Sequence, residues 1–162
     1  MSSQVGAWLR GAALHGKQLS AHERDTARAR SEENREIVRR ALDVWNEGDL
    51  DGWTPLYDPG VVVIAPEGWP DGAVSEGLDA WRLQAQRLRD SWEEARVEVD
   101  EMRMVGEDRV LARIRYRTRG GDTNMSFDTP MAAVFFLEQR RITRAHYFWD
   151  VAQAFQAAGL SE

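Results

Sequence analysis

The chain has 162 residues, which is enough for one globular domain with its own hydrophobic core and a short extension. Hydrophobic residues make up 43% and charged residues 30%, and no apolar run approaches the roughly 18 residues of a membrane-spanning helix, so the composition excludes a disordered chain and a membrane protein. Cysteine is absent, which excludes disulfides and cysteine-ligated metals, and the formal net charge of −6 argues against nucleic acid as a partner.

The first 30 residues differ in charge from the rest of the chain. They contain five arginine or lysine residues and two acidic ones, so the remainder is distinctly acidic. Arg10 interrupts the apolar stretch near the start and no convincing cleavage site follows, so we expect no secretory signal and a cytoplasmic location. We expect residues 1–30 to form a flexible or partly helical basic extension and residues 31–162 to form the folded domain.

The domain is predicted to begin with an amphipathic helix. After Ser31, a suitable N-cap, apolar residues recur at helical spacing as far as Trp45, and Gly48 follows as a C-terminal cap. The alternative is a start at Ser20, where Glu23 completes a capping box, but the added segment lacks an apolar stripe.

The elements that follow are predicted from local patterns. Residues 50–59 are typical of a short helix or turn, and the β-branched run at 60–66 predicts a strand. Glycine and proline punctuate residues 67–77, which indicates a loop. A second amphipathic helix is predicted over 78–95, because its apolar residues recur at intervals of three and four.

After Ala95 the hydrophobic period changes from helical to two residues, which is typical of strands. Four consecutive antiparallel strands are predicted, at 96–105, 109–119, 125–138 and 141–149, followed by a short helix at 150–160. This order predicts an α+β domain whose helices cover one face of a curved sheet. The arginines of the second strand are expected to form ion pairs across the sheet with Glu98 and Asp100.

Three motifs carry a resemblance to a known family: WNEGDLDG at 45–52, YDPGVVV at 57–63, and the ending D-x-A-x-A-x-x-A-A-G-L at 150–160. Together, roughly residues 31–160 resemble the nuclear transport factor 2-like superfamily, in particular its bacterial SnoaL-like, polyketide cyclase-like branch. The resemblance implies a cone-shaped, curved, mainly antiparallel sheet with helices packed on its concave face. It also implies an internal cavity and a homodimer formed through the outer sheet face.

Members of this superfamily include enzymes of several kinds and binding proteins, so the fold alone does not give the function. The positions that resemble the catalytic groups of ketosteroid isomerase are Ala41, Ala65 and Ala132, and alanine cannot move a proton. No predicted strand contains the Arg-x-Asp pair of limonene-type epoxide hydrolases. The domain has one histidine, His146, so we expect no metal site, no Ser-His-Asp triad and no cofactor.

The residues that line the cavity are predicted from the alternation of side chains along strands. The resemblance places Tyr147 and Trp149 inside, and the face with His146 and Phe148 is the alternative. By the same argument Asp128 points to the cavity side, near its mouth. The residues predicted to bind a ligand are Trp53, Tyr57, Trp69, Tyr116, Val134, Phe136 and Trp149.

Three residues are candidate catalytic groups. Asp128 is an acid-base candidate, or a plain strand-edge residue before Pro130. Tyr147 is a proton donor that polarises a carbonyl, or a core residue with a satisfied hydroxyl. Asp150 heads the last helix, where an N-cap explains its position, and catalysis is the alternative because polyketide cyclases use an aspartate near this end of the fold.

These patterns predict a domain that binds a small hydrophobic organic molecule in an apolar, aromatic cavity. One form of this function is cofactor-free acid-base catalysis of the cyclase, isomerase or hydratase type on a carbonyl compound. The other form is a non-catalytic ligand-binding or dimerisation module, which the alanines at the three isomerase positions favour.

Overall fold

The computed structural model describes residues 19–69, 73–122 and 124–160. The chain divides into two units at the junction between Arg30 and Ser31. In chain order the elements are helix α1 (Ala21–Glu47), a 3-10 helix (Leu50–Trp53), strands β1 (Tyr57–Ile64) and β2 (Val74–Glu76), helix α2 (Leu78–Asp90), strands β3 (Glu94–Val105), β4 (Arg109–Arg119), β5 (Ser126–Glu138) and β6 (Arg141–Phe148), and helix α3 (Val151–Ala157). None of the described helices is both long and apolar enough to cross a membrane.

Helix α1 begins at the capping box that was the alternative start. The Ser20 hydroxyl accepts a hydrogen bond from the Glu23 backbone N–H at 3.1 Å, and the Glu23 carboxylate accepts one from the Ser20 N–H at 3.2 Å. A start at Ser31 is therefore wrong, because alanine, arginine and glutamate upstream are good helix formers and continue the helix without an apolar stripe. The buried residues of α1 are Asn34, Val38, Ala41, Leu42, Val44 and Trp45.

The strands form one six-stranded sheet in the order β2-β1-β6-β5-β4-β3. Neighbouring strands are antiparallel except for β1 and β6, which are parallel. The predicted α+β class with a mainly antiparallel sheet is confirmed. The four strands predicted after Ala95 are all present.

Two elements differ from the sequence expectation. Strand β2 lies in the segment predicted to be a loop, where Val74–Glu76 pairs with residues 62–64 of β1. Three residues are too few to show a period of two, so pairing with β1 alone defines this strand. Helix α2 ends at Asp90, before Trp92, and β3 begins at Glu94, so the predicted helix was about five residues too long.

Each face of the sheet packs against different helices. Helices α1 and α2 cover the inner face, which contributes Val110, Ala112, Ile114 and Tyr116 from β4 to the main core. Helix α3 lies against the opposite, outer face, where Ala154 and Ala158 pack with Leu111, Ala132 and Val134. The strict alternation of β4 therefore separates the main core from a second, smaller one.

Candidate ligand-binding cavity

Two adjoining cavities, each of about 50 Å³, lie between α1, α2 and the inner face of the sheet. The first is lined by Ala41, Leu42, Trp45, Trp53, Tyr57, Trp69, Trp81, Leu88, Val97, Ile114, Tyr116, Met131 and Tyr147. The second is lined by Val63, Ala65, Pro66, Trp69, Trp81, Gln84, Leu88, Met131 and Tyr147. Five residues line both cavities. Four of them belong to α2, β5 and β6, namely Trp81, Leu88, Met131 and Tyr147, and the fifth, Trp69, lies in a loop. We call the two together the aromatic cavity.

Contacts between rings hold the walls of the aromatic cavity in place. Trp53 stacks on Trp81 with ring centroids 5.5 Å apart and an angle of 7° between planes, and it meets Tyr57 edge-on at 5.3 Å. Trp45 meets Tyr116 edge-on at 6.0 Å. Such stacked and edge-to-face pairs stabilise a cluster beyond its buried area, so these contacts stabilise the cavity walls.

Trp69 closes one side of the aromatic cavity from the loop between β1 and β2. Its ring lies 6.3 Å from the Tyr116 ring and 5.5 Å from the ring of Trp149. Trp149 in turn donates a hydrogen bond from its indole N–H to the backbone oxygen of Glu67 at 2.9 Å, although 45% of its surface is exposed. The partly buried Trp69 and the more exposed Trp149 therefore border the cavity on its solvent side.

Several polar atoms on the cavity walls lack partners. The Trp53 indole N–H is satisfied, because it donates to the Ala41 backbone oxygen at 2.9 Å. By contrast, the indole nitrogen of Trp45 and the hydroxyl of Tyr116 are buried without a hydrogen-bond partner of good geometry among the described residues. Buried polar groups are nearly always paired in native structures, so unpaired donors on a cavity wall indicate a place for a ligand or water.

The phenols of the aromatic cavity are neutral. Burial raises the pKa of Tyr147 and of Tyr116, and for Tyr116 the positive charge of Arg89 acts in the opposite direction. Burial also raises the pKa of Tyr57, the neighbouring Tyr147 raises it further, and the nearby Trp81 indole lowers it. Neutral phenols keep their protons at ordinary pH and act as hydrogen-bond donors to a bound molecule.

Of the predicted ligand-binding residues, the cavity brings together four, and Tyr147 joins them from the predicted catalytic set. These five are Trp53, Tyr57, Trp69, Tyr116 and Tyr147. Trp149 lies next to Trp69 at the edge rather than on the wall. Trp45 and Trp81 also line the cavity, from the apolar stripes of α1 and α2, and they were not among the predicted ligand-binding residues.

The predicted inward orientation of Asp128, Val134 and Phe136 is wrong. Ala133 of β5 pairs with Tyr147 and with Ala112, which lie on the inner face. Asp128, Val134 and Phe136 alternate with the inward residues of β5 and therefore point outward. Val134 and Phe136 pack in the smaller core beneath α3. The inner face of β5 therefore carries Ala133, Phe135 and Leu137, one residue out of step with the prediction, and a shift of one residue moves every side chain to the other face.

Asp128 therefore lies on the outer face, among the arginines of β4. Its carboxylate is 3.5 Å from the Arg115 guanidinium and 3.7 Å from that of Arg117. The predicted cross-strand pairs are confirmed beside it, with Arg115 3.0 Å from Asp100 and Arg117 3.3 Å from Glu98. We call this network the outer charge ladder.

Asp150 caps helix α3. Its carboxylate accepts a hydrogen bond from the Ala152 backbone N–H at 2.8 Å, which is the N-cap interaction expected from the sequence. Asp150 does not line either cavity.

His146 is also outside the aromatic cavity. Its ring stacks on Phe148 at 4.0 Å, and partial burial, followed by the charge of Arg144, lowers the pKa of the imidazole. Among the described residues, no group of three or more histidine, aspartate or glutamate side chains is arranged to hold a metal ion.

The arrangement of helices and strands, with a cavity between α1, α2 and the sheet, defines a nuclear transport factor 2-like fold of the α+β class. The sequence profile of the SnoaL-like domain matches residues 38–145. The chain belongs to the SnoaL-like domain family. No curated protein matches the sequence significantly.

Solved structures share this fold at low sequence identity. A SnoaL-like polyketide cyclase of Jannaschia sp. CCS1 is 20% identical over 82% of this chain and 95% of its own, with a TM-score of 0.64. A ketosteroid isomerase-like protein of Catenulispora acidiphila, solved in complex with trimethylamine, is 18% identical over 78% and 94%, with a TM-score of 0.62. A limonene epoxide hydrolase-like enzyme of M. tuberculosis is 17% identical over 79% of this chain and 90% of its own, with a TM-score of 0.62. At these identities the likeness shows the fold.

Proposed function

We propose that this domain binds a small, planar, hydrophobic organic molecule in the aromatic cavity. The observation that carries the proposal is the cavity wall, where four tryptophans and three tyrosines converge on one space with unpaired hydrogen-bond donors. Apolar walls with a few convergent polar groups are typical of sites for small molecules. Family membership supports the proposal, since SnoaL-like structures include a polyketide cyclase.

The size of the cavity indicates how a ligand enters. About 50 Å³ in each compartment is far below the several hundred Å³ of a typical ligand site, so a side chain has to move. Trp69 borders both compartments and comes from a loop, whereas Trp81 and Tyr147 are fixed in α2 and β6. If the Trp69 indole swings out, the space it leaves joins the compartments and suits a flat ring system of similar size.

Fluorescence titration tests the binding. Four of the seven tryptophans line the cavity, so a planar aromatic ligand should quench the intrinsic emission in a saturable way. Trp69→Ala should enlarge the cavity and increase the affinity for bicyclic aromatic compounds measured by calorimetry. The matched control is Trp92→Ala, because Trp92 lies outside the cavity against Phe127 and its loss should leave the affinity unchanged. Absence of saturable binding, or equal effects of both variants, would contradict the proposal.

A second candidate function is cofactor-free catalysis on a carbonyl compound. The pair of phenols Tyr57 and Tyr147 favours it, because they face one cavity and are close enough for Tyr147 to raise the pKa of Tyr57. Two neutral phenols can donate hydrogen bonds to one carbonyl oxygen and so polarise the carbonyl group. Mass spectrometry of each ligand after incubation tests this function. A converted ligand whose turnover is lost in Tyr147→Phe supports catalysis, and recovery of every ligand unchanged supports binding alone.

Three predictions from the sequence accompany this proposal: residues 1–30 as a separate extension, a cytoplasmic location, and a homodimer. Sedimentation velocity on the full chain measures the last of these directly. A dimer through the outer sheet face has to accommodate both α3 and the outer charge ladder, so it should dissociate more readily as salt screens the exposed charges.

A further inference from the structure

We infer that the ligand carries an acidic oxygen, a carboxylate or an ionised enol or phenol, and that this oxyanion is bound at the end of the aromatic cavity formed by Tyr116 and Trp45. The inference rests on the proposed function and adds the chemical class of the ligand. Its starting point is the set of unpaired polar atoms on the wall of the first compartment.

The Tyr116–Trp45 end presents hydrogen-bond donors and leaves them unused. Tyr116 is 8% exposed and Trp45 is 5% exposed, both line the first compartment, and neither the phenol hydroxyl nor the indole N–H has a partner among the described residues. An indole nitrogen can only donate, and a phenol held neutral by burial also has a proton to donate. Two adjacent buried donors are satisfied together by one oxygen with several lone pairs.

A positive charge lies beside this end of the cavity. The Arg89 guanidinium lies 5.2 Å from the centre of the Trp45 ring and is held by hydrogen bonds to the backbone oxygens of Trp45 and Ala95. Its charge reaches Tyr116, where it opposes the effect of burial on the pKa of the phenol. No described aspartate or glutamate lines either compartment. A fixed cation beside unused donors favours a negatively charged oxygen over a neutral one.

The competing class of ligand is an amine. Aromatic faces attract cations, and a structural neighbour of this chain was solved in complex with trimethylamine. In this cavity a cation would leave the Trp45 and Tyr116 donors unpaired and would be repelled by Arg89. The donors and the guanidinium therefore favour the oxyanion.

The experiment compares naphthalene probes of one shape that differ in a single group: 2-naphthoate, 2-acetonaphthone, 2-isopropylnaphthalene and trimethyl(2-naphthyl)ammonium. Calorimetry on the full chain should give affinities in that order, with the naphthoate roughly tenfold or more tighter than the hydrocarbon. Tyr116→Phe should reduce this preference by about tenfold and leave the affinity for the hydrocarbon unchanged. The matched control is Thr118→Val, which removes a buried hydroxyl from the same strand outside the cavity wall.

The outcomes separate this inference from the proposed function. Equal binding of the four probes, or tightest binding of the ammonium probe, overturns the oxyanion site and leaves the aromatic cavity as a binding site. A preference for naphthoate that survives in Tyr116→Phe, or that falls equally in Thr118→Val, also overturns it. Failure of all four probes to bind overturns the proposed function and the inference with it. Circular dichroism of both variants establishes that each is folded.

Discussion

The two faces of strand β4 show how different two environments one residue apart can be. Val110, Ala112, Ile114 and Tyr116 point inward to the main core and the aromatic cavity. Arg113, Arg115 and Arg117 point outward, where these half-exposed side chains pair with carboxylates of β3 and β5. The inner face excludes water, whereas the arginines of the outer face are solvated beyond the part that α3 covers, so the same strand carries both the candidate site and a solvated charge ladder.

The two faces of β4 are expected to contribute differently to stability and to function. Burial of apolar side chains on the inner face contributes to stability in proportion to the area removed from water. Exposed ion pairs contribute little, because solvent and salt screen them. Substitutions on the inner face should therefore change folding, binding or both, and those on the outer charge ladder should change neither by much.

The largest effect on stability is expected from a substitution on the inner face. Ile114→Ala removes a side chain that is 3% exposed and leaves a gap in the core, so we expect the free energy of unfolding to fall by about 2 to 5 kcal/mol. Arg113→Ala, on the neighbouring residue, should cause a far smaller loss, because its partner Glu101 is also half-exposed. Urea unfolding of the two variants measures the difference, and equal losses would contradict the assignment of the two faces.

The second prediction tests whether the inner face is a binding surface. The Tyr116 hydroxyl is buried and unpaired, and an unsatisfied buried polar group is unfavourable. Tyr116→Phe should therefore raise the free energy of unfolding of the ligand-free protein by about 1 kcal/mol while it weakens ligand binding. Thermal unfolding with and without 2-naphthoate gives both quantities. A variant that is less stable without ligand would show that this hydroxyl supports the fold instead.

A third prediction concerns the helix that covers the outer face. Asp150→Ala removes the cap of α3 and should lower the free energy of unfolding by about 1 kcal/mol, whereas Asp150→Asn should cost little because asparagine caps equally well. Chemical denaturation of both variants tests this role. Loss of ligand conversion in Asp150→Asn at unchanged stability would instead show that Asp150 takes part in chemistry.

The smallest expected effect tests the outer charge ladder by pH. A hydrogen bond from Arg115 lowers the pKa of Asp100, and nearby arginines lower it further. Because the folded-state pKa is below the unfolded one, the contribution of this pair is present above about pH 4 and is lost as the pH falls through the folded-state value. Asp100→Asn should reduce the acid sensitivity of unfolding below pH 4 slightly and leave stability at pH 7 nearly unchanged. An altered midpoint at pH 7 would show a larger role for the ladder.

Much of the fold and part of the cavity could be predicted from local patterns. The period of two residues is clear in β4, and the helical stripe through Val38 and Trp45 defines the buried side of α1. Trp53, Tyr57, Trp69, Tyr116 and Tyr147 were expected near a ligand and do line the aromatic cavity. These features depend on spacing within one segment, which a sequence displays directly.

The sequence by itself determined the α+β class, the order of the long elements, the Asp150 cap and the family. Tertiary structure decided which face of β5 meets the cavity, because the hydrophobic run at Met131–Leu137 is buried on both sides, by α1 and α2 within and by α3 outside. A strand buried on both faces has no polar side to mark its orientation, so only its register with Tyr147 and Ala112 sets Asp128 outward. The unpaired donors of Trp45 and Tyr116 likewise arise only when distant segments pack together.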